Sequence, residues 1–192
     1  MARPPQANPA ATRQKILDAG SRLFATAGVD GCSVRELARD VGVSVATIHH
    51  YFGSKHGLHE ACVDSMYEDL GSLQDVLLEL LAENPDDVLE TIIRRCWRFA
   101  RDHQLQLRLL MREVVSAGGL DDGRREAYMM PSLALGSQAL GQLTGGTPES
   151  MRLVLQSSTN LLVRYALGNE GEMKALTGLR GAAAERAIED HL

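Results

Sequence analysis

The 192-residue sequence is poor in aromatic residues and contains no long apolar run. Aromatic side chains make up 4% of the chain, so an aromatic cage for a cationic ligand is not evident. No stretch of eighteen apolar residues is present, and the first residues lack the apolar segment of a secretory signal. We therefore expect a cytoplasmic protein that does not span a membrane.

Cysteine is also scarce, with Cys32, Cys62 and Cys96 spaced about thirty residues apart. Their odd number and wide spacing do not fit the close pairs of zinc knuckles. We expect reduced, structural thiols, because small buried cysteines are common in protein cores. A redox-sensing role is the alternative, since Cys32 and Cys62 flank the helical unit described next.

The composition is otherwise that of a folded globular protein, with 44% hydrophobic and 23% charged residues. The net charge of −5 is unevenly distributed. Residues 1–60 contain seven basic and five acidic residues, as well as four of the six histidines, whereas the remainder is acidic. The N-terminal part is therefore the candidate for binding a polyanion.

Three short helices are predicted in the first fifty-two residues. Residues 1–10, with three prolines, are predicted to be a flexible arm, and Thr12 is a candidate N-cap for a first helix ending at Gly28. A capping box from Ser33 to Glu36 predicts the start of a second helix. Ser44 is expected to cap the third helix, which runs to about Tyr51.

The second and third helices have the spacing of a helix-turn-helix. This motif needs a small residue where the helices approach, a glycine in the turn and a buried apolar residue in the second helix. Ala38, Gly42 and Ile48 meet these requirements. A plain helical hairpin is the alternative that the spacing alone leaves open.

Residues 42–58, GVSVATIHHYFGSKHGL, resemble the recognition-helix segment of the TetR family of transcriptional regulators, and residues 12–19, TRQKILDA, resemble its opening helix. The resemblance covers about residues 12–62. It implies a phosphate contact for Ser44 and Lys55. His49 departs from the family pattern, because it stands where a phosphate-binding tyrosine is usual, and a histidine there makes pH-dependent DNA affinity an expectation.

The candidate DNA contacts fall into two groups. Base-edge contacts are expected from the N-terminal half of the third helix, which enters the major groove; the candidates are Val45, Ala46, Thr47 and His50. Phosphate contacts are expected from hydroxyls, cations and helix starts; the candidates are Thr12, Arg13, Ser33, Ser44, His49, Tyr51 and Lys55.

The rest of the chain is also predicted to be helical. Patterns occur at 56–70 or beyond, 86–102, 104–117, 124–143, 148–167 and 172–191, and Pro131 is expected to kink or restart its helix. The predicted fold is all-α. It combines a three-helix, helix-turn-helix DNA-binding domain at 11–56 with a helical ligand-binding and dimerisation domain at 57–192.

The family resemblance implies a homodimer released from a palindromic operator in double-stranded DNA by a small-molecule effector. For the dimer we expect the helices at 148–167 and 181–191, with Leu155, Ser158, Leu162 and Ile188 at the interface. For the effector site, the bulky or polar candidates are Trp97, His103, Met111, Tyr128 and Met130. An ordinary core role is the alternative for each of them. The arginines at 94, 98, 101, 108 and 112 are expected to be solvated or salt-bridged, with an acidic effector as the alternative.

Other functions are less well supported. His56, His59 and Cys62 lie along one helical ridge, but no fourth ligand for a metal is evident. No nucleophile elbow, phosphate loop or metalloprotease motif is present, so we expect neither an enzyme nor a cofactor. Asp121 and Asp122 are interpreted as a solvated turn. A purely protein-binding helical scaffold would leave the recognition-helix pattern unexplained.

Overall fold

The structure is a computed structural model that describes residues 8–83 and 87–192. Within those ranges the chain folds into helices and contains no strand, which confirms the all-α fold class. The helices are α1 (Pro9–Ala27), α2 (Val34–Val41), α3 (Val45–Phe52), α4 (Lys55–Glu83), α5 (Val88–Asp102), α6 (Gln104–Ala117), α7 (Asp122–Arg124), α8 (Met130–Thr144), α9 (Pro148–Ala166), α10 (Glu170–Thr177) and α11 (Gly181–Glu189).

Helix α1 begins earlier than predicted. Asn8 is the N-cap, its side-chain oxygen accepting from the Ala10 and Ala11 amides, and Pro9 occupies the first turn. Proline suits this position because its missing N–H would have no helical partner. Thr12 is therefore not the cap, since its amide already donates to the Asn8 carbonyl at 2.9 Å. The predicted arm at 1–10 otherwise lies outside the described residues.

The turns between α1, α2 and α3 follow local chemistry. Gly42 ends α2 with φ of 76°, a left-handed conformation that glycine adopts without steric cost. Ser44 caps α3 by accepting from the Thr47 amide at 3.0 Å, as predicted. Ser33 is the N-cap of α2, but its side chain makes no capping hydrogen bond, so the predicted capping box does not form.

Helix α4 is much longer than its clearest sequence pattern and connects the two halves of the molecule. Its start is fixed by Ser54, whose hydroxyl accepts from the Gly57 amide at 2.9 Å. Buried residues of α1, α3, α4 and α6 form one continuous hydrophobic cluster. The predicted domain boundary after residue 56 thus falls in the first turn of α4. This helix packs against α1 and α3 on the N-terminal side of the boundary and against α6 on the C-terminal side.

In the C-terminal part, the observed helices differ from the predicted ones in two places. The chain from 122 to 144 contains a π-helical turn at Arg125–Met129, and α8 restarts with Pro131 in its first turn, as expected for that proline. The predicted helix at 172–191 is instead two helices, α10 and α11. Gly178 adopts φ of 73° and ends α10, because a glycine in this conformation stops helix propagation.

Candidate nucleic-acid interface

The helix-turn-helix is assembled by three residues that the sequence indicated. Ala38 is 4% exposed where α2 meets α3, and Ile48 is completely buried beneath α3. Gly42 makes the left-handed turn between them. Because Ile48 is buried, the opposite side of α3 faces outward, with Ala46, His49 and His50 exposed.

The N-terminal end of α3 presents little hydrogen-bonding capacity. The Ser44 and Thr47 hydroxyls lie 2.8 Å apart and bond to each other. Val45 is half-buried and, like Ala46, offers only apolar contact. His50 is exposed, and its ring packs edge-on against Tyr51 with centroids 5.4 Å apart. The exposed surface of α3 therefore has few donors with which to read bases directly.

His49 has one ring nitrogen already engaged. Its Nδ1 lies 2.8 Å from the Gly53 carbonyl oxygen, which is an acceptor, so Nδ1 carries the proton. In the neutral ring Nε2 is then an acceptor and repels a phosphate oxygen. His49 can donate to phosphate through Nε2 only as an imidazolium, which gives the predicted pH dependence a physical basis.

Ser33 and Lys55 come together beside α3, although 22 positions separate them in the chain. The Lys55 ammonium donates to the Cys32 carbonyl at 3.3 Å, which holds it at the N-terminal end of α2. The Ser33 hydroxyl makes no capping bond there. An ammonium, a hydroxyl and the amides of a helix start are a suitable combination for a phosphate.

Thr12 and Arg13 do not provide the helix-start amides that we predicted, because α1 begins one turn earlier. Arg13 nevertheless lies close to α3, with its guanidinium 5.4 Å from the centre of the Phe52 ring. This stacking aims an exposed cation beside the recognition helix. Tyr51, the remaining phosphate candidate, is half-buried on the same helix.

The cysteines behave as structural residues. Burial raises the pKa of the Cys62 thiol to about 11 and that of Cys96 to about 11, and it also raises the pKa of Cys32. The thiolate is the reactive form, so these thiols remain protonated and unreactive near neutral pH. The structure therefore favours the structural interpretation over the redox alternative.

A charged cluster centred on Arg124 contacts the first turns of α4. The Arg124 guanidinium bonds to Glu60 at 2.5 Å, Asp64 at 3.0 Å and Asp121 at 3.2 Å. Burial opposes ionisation of Glu60, but the hydrogen bond and charge of Arg124 outweigh it and lower the Glu60 pKa. Asp121 also accepts from the Arg124 amide at 3.0 Å, so it caps a turn as we interpreted.

The effector-site candidates do not gather in one place. A cleft of about 680 Å³ opens between α4 and α5, and of the five candidates only His103 lines it. Trp97 is 2% exposed and belongs to the core, against which Met111 also packs. Tyr128 stacks on Tyr67 at 4.5 Å. Met130 is 48% exposed on α8 and does not line the cleft either.

Sequence reasoning missed most of the cleft, whose remaining lining combines three arginines and one aspartate with hydroxyl and apolar side chains. It consists of Asp69, Ser72, Leu73, Val76, Thr91, Arg94, Arg95, Arg98 and Phe99. Arg94 and Arg98 contact Glu189 of α11 at 3.4 and 3.3 Å, as the salt-bridge prediction required. Arg95 is exposed and has no carboxylate within ion-pair distance among the described residues. The sequence pattern did not indicate that Arg95 differs in this way from the salt-bridged Arg94 and Arg98.

Several exposed apolar residues lie on α8 and α9, which pack against each other. Leu153, Val154 and Leu161 form one exposed face of α9, and Leu135 and Leu143 are exposed on α8. Ser158 is exposed, but Leu155 packs on Gly136 of α8 and Leu162 packs on the core. Ile188 is 4% exposed, which makes its predicted interface role wrong: α11 buries this face within its own protomer.

Comparisons with known proteins agree with the geometry of α1 to α4. Residues 16–62 match the family described as bacterial regulatory proteins, tetR family. The regulator BetI of Rhizobium meliloti is 35% identical over 88 residues, which are 45% of this chain and 42% of BetI. The repressor AcnR of Corynebacterium glutamicum is 35% identical over 94 residues, or 48% of each chain.

The chain spans between 38% and 58% of the length of the curated relatives it was compared with. Similarity to a solved structure extends further. A TetR-like transcriptional regulator from Rhodococcus superposes with a TM-score of 0.60 at 20% identity, covering 98% of this chain and 95% of that one. A TetR-family regulator from Pectobacterium atrosepticum gives 0.52 at 18% identity, covering 98% and 95%.

These likenesses support the all-α fold of the described residues, well beyond the segment matched by the family. The relatives are transcriptional regulators rather than enzymes, in agreement with the expectation from the motifs. None of the helices within 8–83 and 87–192 has the length and apolar character needed to cross a bilayer.

Proposed function

Because residues 16–62 are a DNA-binding domain of the tetR family of bacterial regulatory proteins, we propose that this chain is a ligand-responsive repressor that binds a palindromic operator as a homodimer. The observation that carries the proposal is the exposed face of α3 and its surroundings. Ser44 lies at the start of α3. Ser33, the N-cap of α2, and the ammonium of Lys55, the first residue of α4, lie beside it. The arrangement suits a helix in the major groove held by phosphates on either side.

Dimerisation is proposed through α8 and α9. Their exposed leucines and valine would be covered when two copies form a four-helix interface with two-fold symmetry. Such a dimer presents two copies of α3 to half-sites about 34–36 Å apart on one side of the duplex. Leu153, at 75% exposed, is the most exposed of the large apolar residues on these two helices.

The effector is proposed to be an organic anion with an aliphatic portion, bound between α4 and α5. Arg95 would meet its charge, while Leu73, Val76 and Phe99 would contact its apolar part. We infer the acidic effector that the sequence left as the alternative for these arginines, because Arg94 and Arg98 line one cleft together with Arg95. Since α4 both lines the cleft and follows α3 directly, a ligand there would shift the population of reading-helix positions.

The proposal is tested with full-length protein and a labelled duplex from the region upstream of its own gene, followed by fluorescence anisotropy. Replacing Tyr51 and Lys55 together by alanine should weaken binding across sequences and flatten the dependence of affinity on salt. The matched control is Arg152→Ala, an exposed cation of α9 far along the chain from α3. Unchanged affinity and salt slope in the double variant would overturn the proposed DNA-binding surface.

A further inference from the structure

His59, in the second turn of α4, is a buried histidine whose two ring nitrogens make no hydrogen bond within the described residues. Its side chain is 3% exposed and lies edge-on to Phe24 of α1, with ring centroids 5.2 Å apart. Carboxylate oxygens of Glu60 and Glu113 lie 3.5 and 3.2 Å from the nitrogens, but not in hydrogen-bonding geometry. Buried polar groups are nearly always bonded, so this exception points to a missing partner.

Potential metal ligands surround one of these nitrogens. The Glu60 Oε1 atom lies 3.5 Å from His59 Nδ1 and 3.7 Å from His56 Nε2. All three ligand atoms are within 4.8 Å of one another. Zinc with bonds of ~2.0 Å in a tetrahedral site holds its ligand atoms ~3.3 Å apart. The two Glu60 distances are close to this value, and the exposed His56 side chain can adjust its distance to His59.

We propose that His56, His59 and Glu60 bind a divalent transition-metal ion of the zinc type, with water as the fourth ligand. The spacing i, i+3 and i+4 puts the three side chains on one ridge of α4. Two imidazoles and a carboxylate are a ligand set that zinc, nickel and cobalt accept, whereas magnesium and calcium prefer oxygen ligands alone. His56 is exposed, which gives an ion a route in from solvent.

Two further residues act as positioning residues. Glu113 of α6 lies 3.2 Å from His59 Nε2. When Nδ1 binds the ion, the ring carries its proton on Nε2, and the Glu113 carboxylate can accept a hydrogen bond from it. Arg124 holds the other oxygen of Glu60, Oε2, at 2.5 Å and so leaves Oε1 facing the two histidines. Metal-binding histidines commonly have such a carboxylate partner, and bound carboxylates are commonly held by a second group.

The structure also corrects the ligand set considered from sequence. The Cys62 thiol points towards α1 and donates to the Leu17 carbonyl at 3.6 Å, so it does not join His56 and His59. Glu60 takes its place, and Glu113 comes from fifty positions further along the chain. Because α4 begins three residues after α3 and Glu113 belongs to α6, a bound ion would link the DNA-reading helices to the rest of the molecule.

The test uses tag-free, full-length protein that has been treated with EDTA and then dialysed at pH 7.5. Titration with Co²⁺, followed by visible absorption, reports both affinity and coordination, and Zn²⁺ is measured by displacing Co²⁺. We expect one ion per chain. His56→Ala, at an exposed position that should not disturb folding, should weaken binding at least about tenfold. The control is His191→Ala, because His191 is an exposed histidine outside the cluster.

Glu113→Gln separates positioning from coordination. The cobalt absorption bands should keep their shape, because the three ligands remain, while affinity falls by about 10- to 100-fold. Binding of equal affinity in the wild type and His56→Ala would overturn the proposal. It would also be overturned if EDTA-treated wild-type protein bound neither Co²⁺ nor Zn²⁺.

Discussion

The cations of the DNA-reading head (residues 9–52, helices α1–α3, with Lys55) differ from those of the C-terminal body (residues 88–192). In the head, Arg22 has a carboxylate within 4 Å, at 3.8 Å from Asp40, and the other described cations there have none. In the body, several arginine side chains are bound to an acidic side chain or to a backbone carbonyl. Examples are Arg94, Arg98, Arg101, Arg108, Arg124 and Arg164.

The difference shows that the same residue type serves two purposes. Body arginines join helices to one another, as Arg108 does by donating to the Leu167 carbonyl at 2.5 Å and Arg101 by pairing with Glu185. Head cations face outward and are available to an external polyanion. The net charge of the chain hides this division, because only pairing distinguishes the two groups.

The largest effect is expected from the core that positions α3. Ile48→Ala should lower the free energy of unfolding by about 3 kcal/mol, because a fully buried isoleucine loses its contacts and leaves a cavity. Chemical denaturation measures this change, and DNA affinity should fall with it. Leu176→Ala, at a site that is 60% exposed on α10, is the control and should change stability by less than about 0.5 kcal/mol. Equal losses in both variants would contradict the described core.

Arg124→Ala tests whether a body arginine holds helices together. Loss of its bonds to Glu60 and Asp64 should lower the free energy of unfolding by about 2 kcal/mol. Since Arg124 lowers the Glu60 pKa from its ordinary 4.5, this stabilisation is present above pH 4.5 and is lost as the pH falls through the lowered value. The difference between wild type and variant should therefore shrink in acid.

The matched control for Arg124→Ala is Arg125→Ala. Arg125 bonds to Asp122 at 2.6 Å, but these side chains are 45% and 86% exposed. Exposed pairs contribute little, so the variant should change stability by less than about 1 kcal/mol. If Arg125→Ala were as destabilising as Arg124→Ala, the ion pairs would not explain the effect.

Lys55→Ala addresses the other side of the comparison. We expect DNA affinity to fall about tenfold and the slope of log affinity against log salt to become shallower by about one unit, because one phosphate contact is lost. Stability should change little, since Lys55 has no carboxylate partner among the described residues. Arg98→Ala, in the body, should leave both DNA affinity and its salt slope unchanged. A lost salt dependence in Arg98→Ala would mean that the body also contacts DNA.

The smallest effect concerns His49. With Nδ1 bonded to the Gly53 carbonyl, the neutral ring presents only an acceptor at Nε2, whereas a tyrosine hydroxyl can donate to a phosphate. His49→Tyr should therefore raise affinity for the operator a few-fold, as measured by anisotropy titrations of the two proteins. His50→Gln tests the contribution of the neighbouring imidazole. Unchanged affinity in His49→Tyr would show that this position does not contact a phosphate.

The sequence predicted the head more accurately than the C-terminal body. The helix-turn-helix was predictable because its determinants are local: Gly42 needs no distant partner to turn the chain, and the Ser44 hydroxyl caps its own helix. Ile48 was recognisable from its spacing to Ala38. Even here the Ser33 capping box failed, since a pattern of residue types does not ensure that the bond is made.

The C-terminal body was predictable only in outline. Helix positions followed from apolar spacing, but the partner of each face depends on distant segments. Ile188 lies in a pattern that predicted an interface residue, but it is buried within its own chain. Arg95 is adjacent to Arg94 in the sequence yet lacks the acidic partners of Arg94. The cleft joins α4 to α5, so local patterns did not indicate it. The spacing of His56 and His59 was visible in the sequence, but the contacts of Glu60 with both histidines, and those of Glu113 and Arg124 from distant helices, were not.

The length of α4 has a mechanical consequence. Its 29 residues, Lys55–Glu83, extend for ~44 Å at ~1.5 Å per residue. If the helix pivots about its far end, a tilt of ~5° displaces the end next to α3 by ~4 Å, slightly more than the ~3.4 Å rise of one base pair. In the proposed dimer, an effector that tilts α4 slightly in each protomer would therefore put the two copies of α3 out of step with successive major grooves.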